Sequence, residues 1–398
     1  MNSPLMAALF RVGSPEDSAP YVLRLRHALL GGLEKGTEES SSTELLVPLE
    51  LREFPLTASD PVSDLNSINL SFVTATGRLL IVVIDTRPMP DAGPTRETSI
   101  GLNLLLRIDE LALSPDTFLV EVLLKAPGSL YENSPDARLI RLGLTDLDER
   151  DLRLPFLELY TLQFALRLFA PDPEGKSATL FFSHAKRDGV PLTTATKDWL
   201  RRLKGFETYY DSENLDLSGD IAAQLSTAVA SAIVIVFQSD AFDHRFWCQT
   251  EVLWAEQHAR PVVSVDARWR IAHAPSVISF DSMPGVRIPD GSVVRIYSAA
   301  LVEALRVELF KARVRIHGAT LQSTGVVAIP RSPSILSLHA ACKTLRDRRP
   351  DGPNSGRQFV VYPNPSLPKL ILVAANELAE ALCPGCKVVS LDEFRLAI

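Results

Sequence analysis

Apolar residues along this chain fall into two alternating kinds of run. Short β-branched stretches closed by polar residues, such as ATLFFSH (178–184) and AIVIVF (232–237), are too short for ordinary helices. They read as strands buried on both faces of a parallel sheet. The segments TKDWLRRL and SGDIAAQLSTAV between them carry apolar residues at spacings of three and four, the period of a helix with one buried face. Strand alternating with helix predicts an α/β fold with a doubly wound sheet at the centre of the chain.

Ligands of such sheets collect where the strands end, so the residues leaving each strand carry the candidate chemistry. They are Ser183-His184-Ala185-Lys186-Arg187-Asp188, Tyr210-Asp211-Ser212-Glu213, Gln238-Ser239-Asp240 and Asp266-Ala267-Arg268-Trp269. All are polar, and the last ends in an aromatic. FFSHAKRDG, YYDSENLDLSGDI, IVFQSDAF and FWCQTEVLWAEQ, in that order, resemble the successive motifs of a Toll/interleukin-1 receptor (TIR) domain. The most specific of them is Trp247-Cys248-x-x-Glu251. The resemblance runs to about Arg313 and implies a flavodoxin-like TIR domain over residues 177–314.

In TIR domains that are enzymes the reaction is cleavage of the nicotinamide–ribose bond of NAD, so the resemblance implies NAD as substrate, with no cofactor and no metal. Nicotinamide is cationic in NAD and departs neutral, so it needs no proton from a general acid. One carboxylate then suffices where ordinary glycosides need two. It would hold the ribose hydroxyls and favour the positive charge growing on the sugar. By resemblance that carboxylate is Glu251, with Glu256 on the same helix facing elsewhere. Ser183, His184 and Lys186 would border the ribose or phosphates, with His184 standing where the family has an aromatic. Trp269 would stack on the nicotinamide ring, and Asp211 would border the pocket. Trp247 and Trp254, at helical spacing, read as core. The stretch through Ser212, Leu215, Gly219 and Asp220 matches the family's mobile loop, which gates the pocket and mediates self-association. A Glu near a helix start is also favoured by the macrodipole alone, and Gly219 also suits a plain turn. The implied function is a bacterial anti-phage effector that cleaves NAD, acting as a homo-oligomer with a regulatory protein or nucleotide signal as partner. A non-catalytic TIR scaffold, recruiting partners through its loops, is the alternative.

The flanks show the same rhythm without a catalytic motif. Residues 1–172 offer strand-like MAALFRV, helix-like YVLRLRHALLGGLEK, strand-like ELLVPLELREF and a helix followed by a buried strand in SDLNSINLSFVTATGRLLIVVIDT. This is either a degenerate, catalytically silent copy of the central unit or an unrelated α/β domain sharing a common rhythm. If it is a copy, Gly13 or a neighbour stands where Ser183 does, and SIGLNLLLRIDEL replaces the Trp-Cys-x-x-Glu helix without an early carboxylate. PDPEGKS (171–177) reads as a linker. Residues 318–398 read as a small α/β module whose Arg346-Asp347-Arg348-Arg349 cluster suits a solvated loop.

Length fits two or three domains. A net charge of −7 argues against a general nucleic-acid binder. No apolar run approaches a bilayer span, and the N-terminus lacks a basic region before its apolar run. No membrane partner and a cytoplasmic location are therefore expected. The four cysteines are too few for a disulfide framework, and Cys383-Pro-Gly-Cys386 reads as a helix-to-strand turn, since a zinc site would want a second pair.

Overall fold

The computed structural model describes residues 5–29, 50–57, 59–69, 78–88, 99–111, 116–124, 132–133, 138–143, 150–169, 179–201, 207–209, 219–267, 283–287, 293–319, 325–348 and 357–397. The chain divides into two compact units, Met1–Gly175 and Lys176–Ile398. The fold is α/β in both.

The first unit is built on strands β1 (Met6–Val12), β2 (Glu50–Leu56), β3 (Arg78–Asp85), β4 (Asp116–Leu123), β5 (Glu132–Asn133) and β6 (Leu139–Gly143) in the order β2-β1-β3-β4-β6-β5. All pair parallel except the two-residue edge strand β5, which pairs antiparallel with β6. Helices α2 (Pro61–Ser67) and α3 (Ile100–Glu110) cover one face, where Met6, Ala8, Phe10, Leu79, Ile81 and Val83 meet Leu65, Leu104 and Ile108. These strand residues alternate along β1 and β3, as a pleated strand requires. Helices α1 (Pro15–Leu29) and α4 (Arg150–Arg167) pack on each other and on β1, β3 and β4. Helix α4 starts earlier than its apolar run suggests, with Pro155 inside it.

The strand ends of this unit are filled by its own side chains. Thr86, just past β3, donates from its N–H and its Oγ1 to the Val12 carbonyl, each at 3.0 Å, and its Oγ1 accepts from the Ser14 N–H at 2.8 Å. Asp85 is fully buried and paired with Arg87 at 2.6 Å. Helix α3 has no acidic residue in its first turn. The carboxylate at its start comes instead from β4: Glu121 accepts from the Gly101 N–H at 3.0 Å and from the Ser99 hydroxyl at 2.9 Å, and pairs with Arg141 at 3.0 Å. Counted from the strand ends, the place of Ser183 is taken by Arg11 rather than Gly13.

The second unit holds a five-stranded parallel sheet of β7 (Thr179–His184), β8 (Glu207–Tyr209), β9 (Ile233–Gln238), β10 (Val262–Asp266) and β11 (Gly285–Arg287), ordered β11-β10-β9-β7-β8. Counted along the chain this is 2-1-3-4-5, and the first unit has the same order once β5 is set aside. That order is common among doubly wound sheets, so it establishes a shared architecture and not a shared origin. Helices α6 (Ile221–Ser231) and α7 (Phe246–Gln257) pack on one face through Leu225, Val229, Cys248, Val252 and Ala255. Helices α5 (Val190–Leu200) and α8 (Val293–Gly318) meet where Trp199 stacks on Tyr297, whose hydroxyl donates to the Thr196 carbonyl at 2.6 Å. Burial pushes the Tyr297 hydroxyl pKa upward.

Helix α8 is longer than its sequence pattern suggests, because its far end also packs on a second sheet. Phe310 and Val314 meet Phe359, Val361 and Phe394 there. That sheet is parallel, ordered β12 (Val326–Ala328), β13 (Gln358–Tyr362), β14 (Cys386–Ser390), with helices α9 (Ile335–Asp347), α10 (Lys369–Leu382) and α11 (Leu391–Ala397). Arg346 and Asp347 belong to the last turn of α9, so the expected loop starts later than the sequence suggests. The Cys-Pro-Gly-Cys stretch is the turn from α10 into β14: Cys383 caps the helix and donates its thiol to Gln358 Oε1 at 2.8 Å, and Gly385 has φ +83°. Cys386 donates its thiol to that of Cys342 on α9, and this bond together with burial pushes the Cys386 pKa upward.

Gly13, between β1 and the Thr86 bonds, has φ +92°, and a Cβ there would lie 2.2 Å from Thr86 Oγ1. Gly13→Ala is expected to cost about 1–3 kcal/mol, read as a lower urea midpoint at unchanged slope; an unchanged midpoint would show that the seam carries no strain-sensitive contact.

Candidate functional site

Strands β7 and β9 are central, with partners on both sides, and buried along almost their whole length. Polar side chains collect at their carboxyl ends, where the strand order of a 2-1-3-4-5 sheet also reverses between its first and third strands. Ser183 and His184 close β7, while Gln238 and Ser239 close β9. All four are buried.

Helix α7 brings Glu251 to this point. Its buried residues are Cys248, Glu251, Val252 and Ala255, a three-and-four spacing that defines one face. Two of these fasten the helix to the end of β7. The Cys248 thiol donates to the His184 carbonyl at 3.3 Å, and the Ser183 hydroxyl donates to Glu251 Oε2 at 2.5 Å. A hydroxyl on a carboxylate is a charge-assisted bond and accordingly short. Ser183 is fully buried and Glu251 is 7% exposed. The Cys-x-x-Glu spacing thus has a physical meaning, because both residues must meet the same strand end.

The two loops leaving β7 and β9 are tied together. Asp188, in the turn after β7, accepts from the Ser239 hydroxyl at 2.5 Å and from the Ala241 N–H at 2.9 Å. Gly189, the next residue, sits where a Cβ would come within 2.9 Å of the Ala185 carbonyl oxygen. The sequence places Asp188 in the strand-end segment but assigns it no role; an acidic residue before a glycine signals only a turn, and its partners lie on a distant segment.

The remaining candidate residues are distributed as follows. His184 is buried, its Nδ1 3.4 Å from the Phe182 carbonyl oxygen. Lys186 is exposed in the turn after β7. Gly219 is exposed, and Asp220 caps α6 by accepting from the Ala223 N–H at 3.1 Å. Asp211, Ser212, Leu215 and Trp269 lie outside the described residues. Glu256 lines a cleft with Leu253 and Arg260, a different surface from the one Glu251 presents to β7. Trp254 packs at the margin of the core, but Trp247 is 44% exposed and Phe246 beside it 73%. The core expectation for Trp247 is therefore corrected: the buried face of α7 is set by residues 248, 251, 252 and 255, and Trp247 falls at its rim against Phe246 and Trp254.

Among the described residues no group of His, Cys, Asp and Glu could hold a metal ion, and no helix is long and apolar enough to cross a membrane. No known protein-family model matches this chain, and no curated protein matches it either.

Ser183→Ala leaves a buried carboxylate short of a donor and is expected to cost about 1–3 kcal/mol of stability. Combined with Glu251→Gln, which removes the charge needing that donor, the loss should fall below the sum of the single losses by about 0.5–3 kcal/mol. Strict additivity in the denaturation midpoints would mean that the two side chains do not interact in solution.

Proposed function

We propose that the five-stranded sheet and its helices form a TIR domain that cleaves NAD to nicotinamide and linear or cyclised ADP-ribose. The observation that carries this reading is the Ser183–Glu251 pair at the carboxyl end of β7, held there by the Cys-x-x-Glu face of α7. Glu251 already accepts a hydrogen bond from a hydroxyl, the contact a ribose would offer. As the bond to nicotinamide breaks, the ring nitrogen keeps the bonding pair and becomes neutral; the anomeric carbon is taken by water for the linear product, or by a nucleophile of the ADP-ribose itself for the cyclised one, and for the linear product the water loses one proton to solvent. Glu251 stabilises the positive charge on the sugar as that bond lengthens. Lys186, exposed in the turn after β7, would meet a phosphate, and Trp269 follows a strand whose end neighbours Gln238 through the Ala267–Gln238 backbone bond. In this reading the enzyme works in the cytoplasm as a homo-oligomer, as an effector of bacterial anti-phage defence answering a regulatory protein or nucleotide signal.

A second reading has its own observation. Phe246 and Trp247, in edge-to-face contact at 5.5 Å and both exposed, form an aromatic surface of the kind enriched in protein interfaces. This favours a TIR scaffold that binds partners without turnover.

Nicotinamide release from a concentrated sample, measured by chromatography, separates the two. The enzyme reading expects release that falls about 100- to 1000-fold in Glu251→Gln with folding retained. Trp269→Ala should weaken substrate binding as well as rate, because a stacking platform acts on ground state and transition state together. Near-full release from Glu251→Gln would remove Glu251 from the chemistry. No release from the parent protein, together with partner binding lost in Trp247→Ala, would establish the scaffold.

A further inference from the structure

On the side of α7 away from the Ser183 contact, its last turns face the segment from Ile329 to Ser334 that joins β12 to α9, and the first turn of α9. Between them lies a cleft of about 470 Å³, within the size range of small-molecule sites. Its geometry is strand, loop, helix start, with the cleft at the carboxyl end of a parallel strand.

Three features of the cleft point to an anion. The first is Arg331, whose side chain is nine-tenths buried and lines the cleft. Its Nη2 donates to Glu303 Oε1 at 2.9 Å and to the Val262 carbonyl at 3.1 Å, but its Nε is buried without an acceptor. A buried donor left unmade is costly and calls for a partner. The second is charge: Arg331 and Arg260 both line the cleft, and Glu303, the carboxylate paired with Arg331, is shared with Arg306. The third is the start of α9. Ser334 caps it by accepting from the Ser337 N–H at 3.1 Å, which leaves the Ile335 and Leu336 N–H groups to an outside acceptor at the positive end of a thirteen-residue helix. Leu253, Met283 and Pro330 supply apolar wall, with Glu256 and Arg260 on the α7 side, the Arg260 guanidinium donating to the Ser231 and Ala232 carbonyls.

We propose that this cleft binds a small phosphorylated molecule with a planar, largely apolar body, its phosphate on Arg331 and the first turn of α9 and its body against Leu253, Met283 and Pro330. Glu256 accepts from a hydroxyl or amine of that body and, by repulsion, keeps the phosphate at the serine end. The proposal stands apart from NAD cleavage, since it concerns the other side of α7 and is read by binding alone.

The test is calorimetric titration of the full chain with AMP, adenosine and inorganic phosphate as probes. AMP is expected to bind, with adenosine and phosphate each weaker by about tenfold or more. Ser332→Asp sets a negative charge on the exposed loop beside the phosphate position and should weaken AMP by about tenfold or more at unchanged melting temperature. Arg331→Met should do the same; if it fails to fold, Ser332→Asp decides. Glu251→Gln should leave AMP affinity unchanged, which separates this site from the one at β7. Hydrogen exchange across residues 246–257 should slow with AMP bound. The proposal is overturned if AMP gives no heat at millimolar concentration, if Ser332→Asp leaves its affinity intact, or if phosphate alone binds as tightly as AMP.

Discussion

A parallel sheet covered on both faces confines its polar side chains to the strand ends, and in this protein that confinement decides what each unit can do. Both units must place carboxylates in such positions, and an ionised carboxylate out of water needs partners. The first unit answers with guanidinium groups: Glu121 has Arg141, and Asp85 has Arg87. Its Thr86 bonds then stitch the end of β1 to the end of β3, across the place where a ligand of this topology would sit. In the second unit a hydroxyl, Ser183, stands against Glu251 at the end of β7. A neutral donor can give way to another hydroxyl at little electrostatic cost, whereas a salt-bridged carboxylate cannot change partners without leaving a buried charge uncompensated. The contacts described in the two units thus differ in kind: guanidinium groups pair with Glu121 and Asp85, and a hydroxyl donates to Glu251.

Helix α7 gives that site its position and also ends the neighbouring cleft. Its Cys248 and Glu251 are fastened to β7, while Leu253 and Glu256 line the surface shared with the β12–α9 segment. Twelve residues are enough for both because positions three or four apart share a face and position 253 falls away from it. The tie from Asp188 to Ser239 and Ala241 fixes the loop in front of the helix, so α7 is held at its start from the β9 side and along its length from β7.

What the sequence made legible was whatever rests on local period or short spacing. Runs such as residues 179–184 and 233–238 are strands because β-branched and aromatic residues in short apolar blocks suit a sheet buried on both faces, and a Cys-x-x-Glu spacing by itself puts two residues on one helix face. What it hid depends on distant partners. The carboxylate serving the start of α3 was invisible because Glu121 comes from the next strand and not from the helix itself. Trp247 looked like core because a large apolar residue at helical spacing normally is, yet the buried face of α7 is narrow and its rim remains exposed. Likewise the Cys-Pro-Gly-Cys stretch concealed Cys342, whose thiol comes from another helix and lies against that of Cys386. The length of α8 was underestimated for a related reason: its pattern suits two different sheets at its two ends, so no single period describes it.

Arg331 links these levels physically. Its guanidinium reaches from the β12–α9 loop to the carbonyl of Val262, the first residue of β10, and to Glu303 in the middle of α8. Strand β10 runs beside β9 to Asp266, next to Gln238 at the strand-end site. A bound anion that satisfied the orphaned Nε would hold the guanidinium in the geometry that makes these two contacts; without such an acceptor the same geometry carries a buried donor unmet. The smaller sheet therefore touches the larger one at two elements, β10 by way of Arg331 and α7 by way of the cleft wall. The first ends at the strand-end site beside Gln238, and the second carries Glu251 to the end of β7.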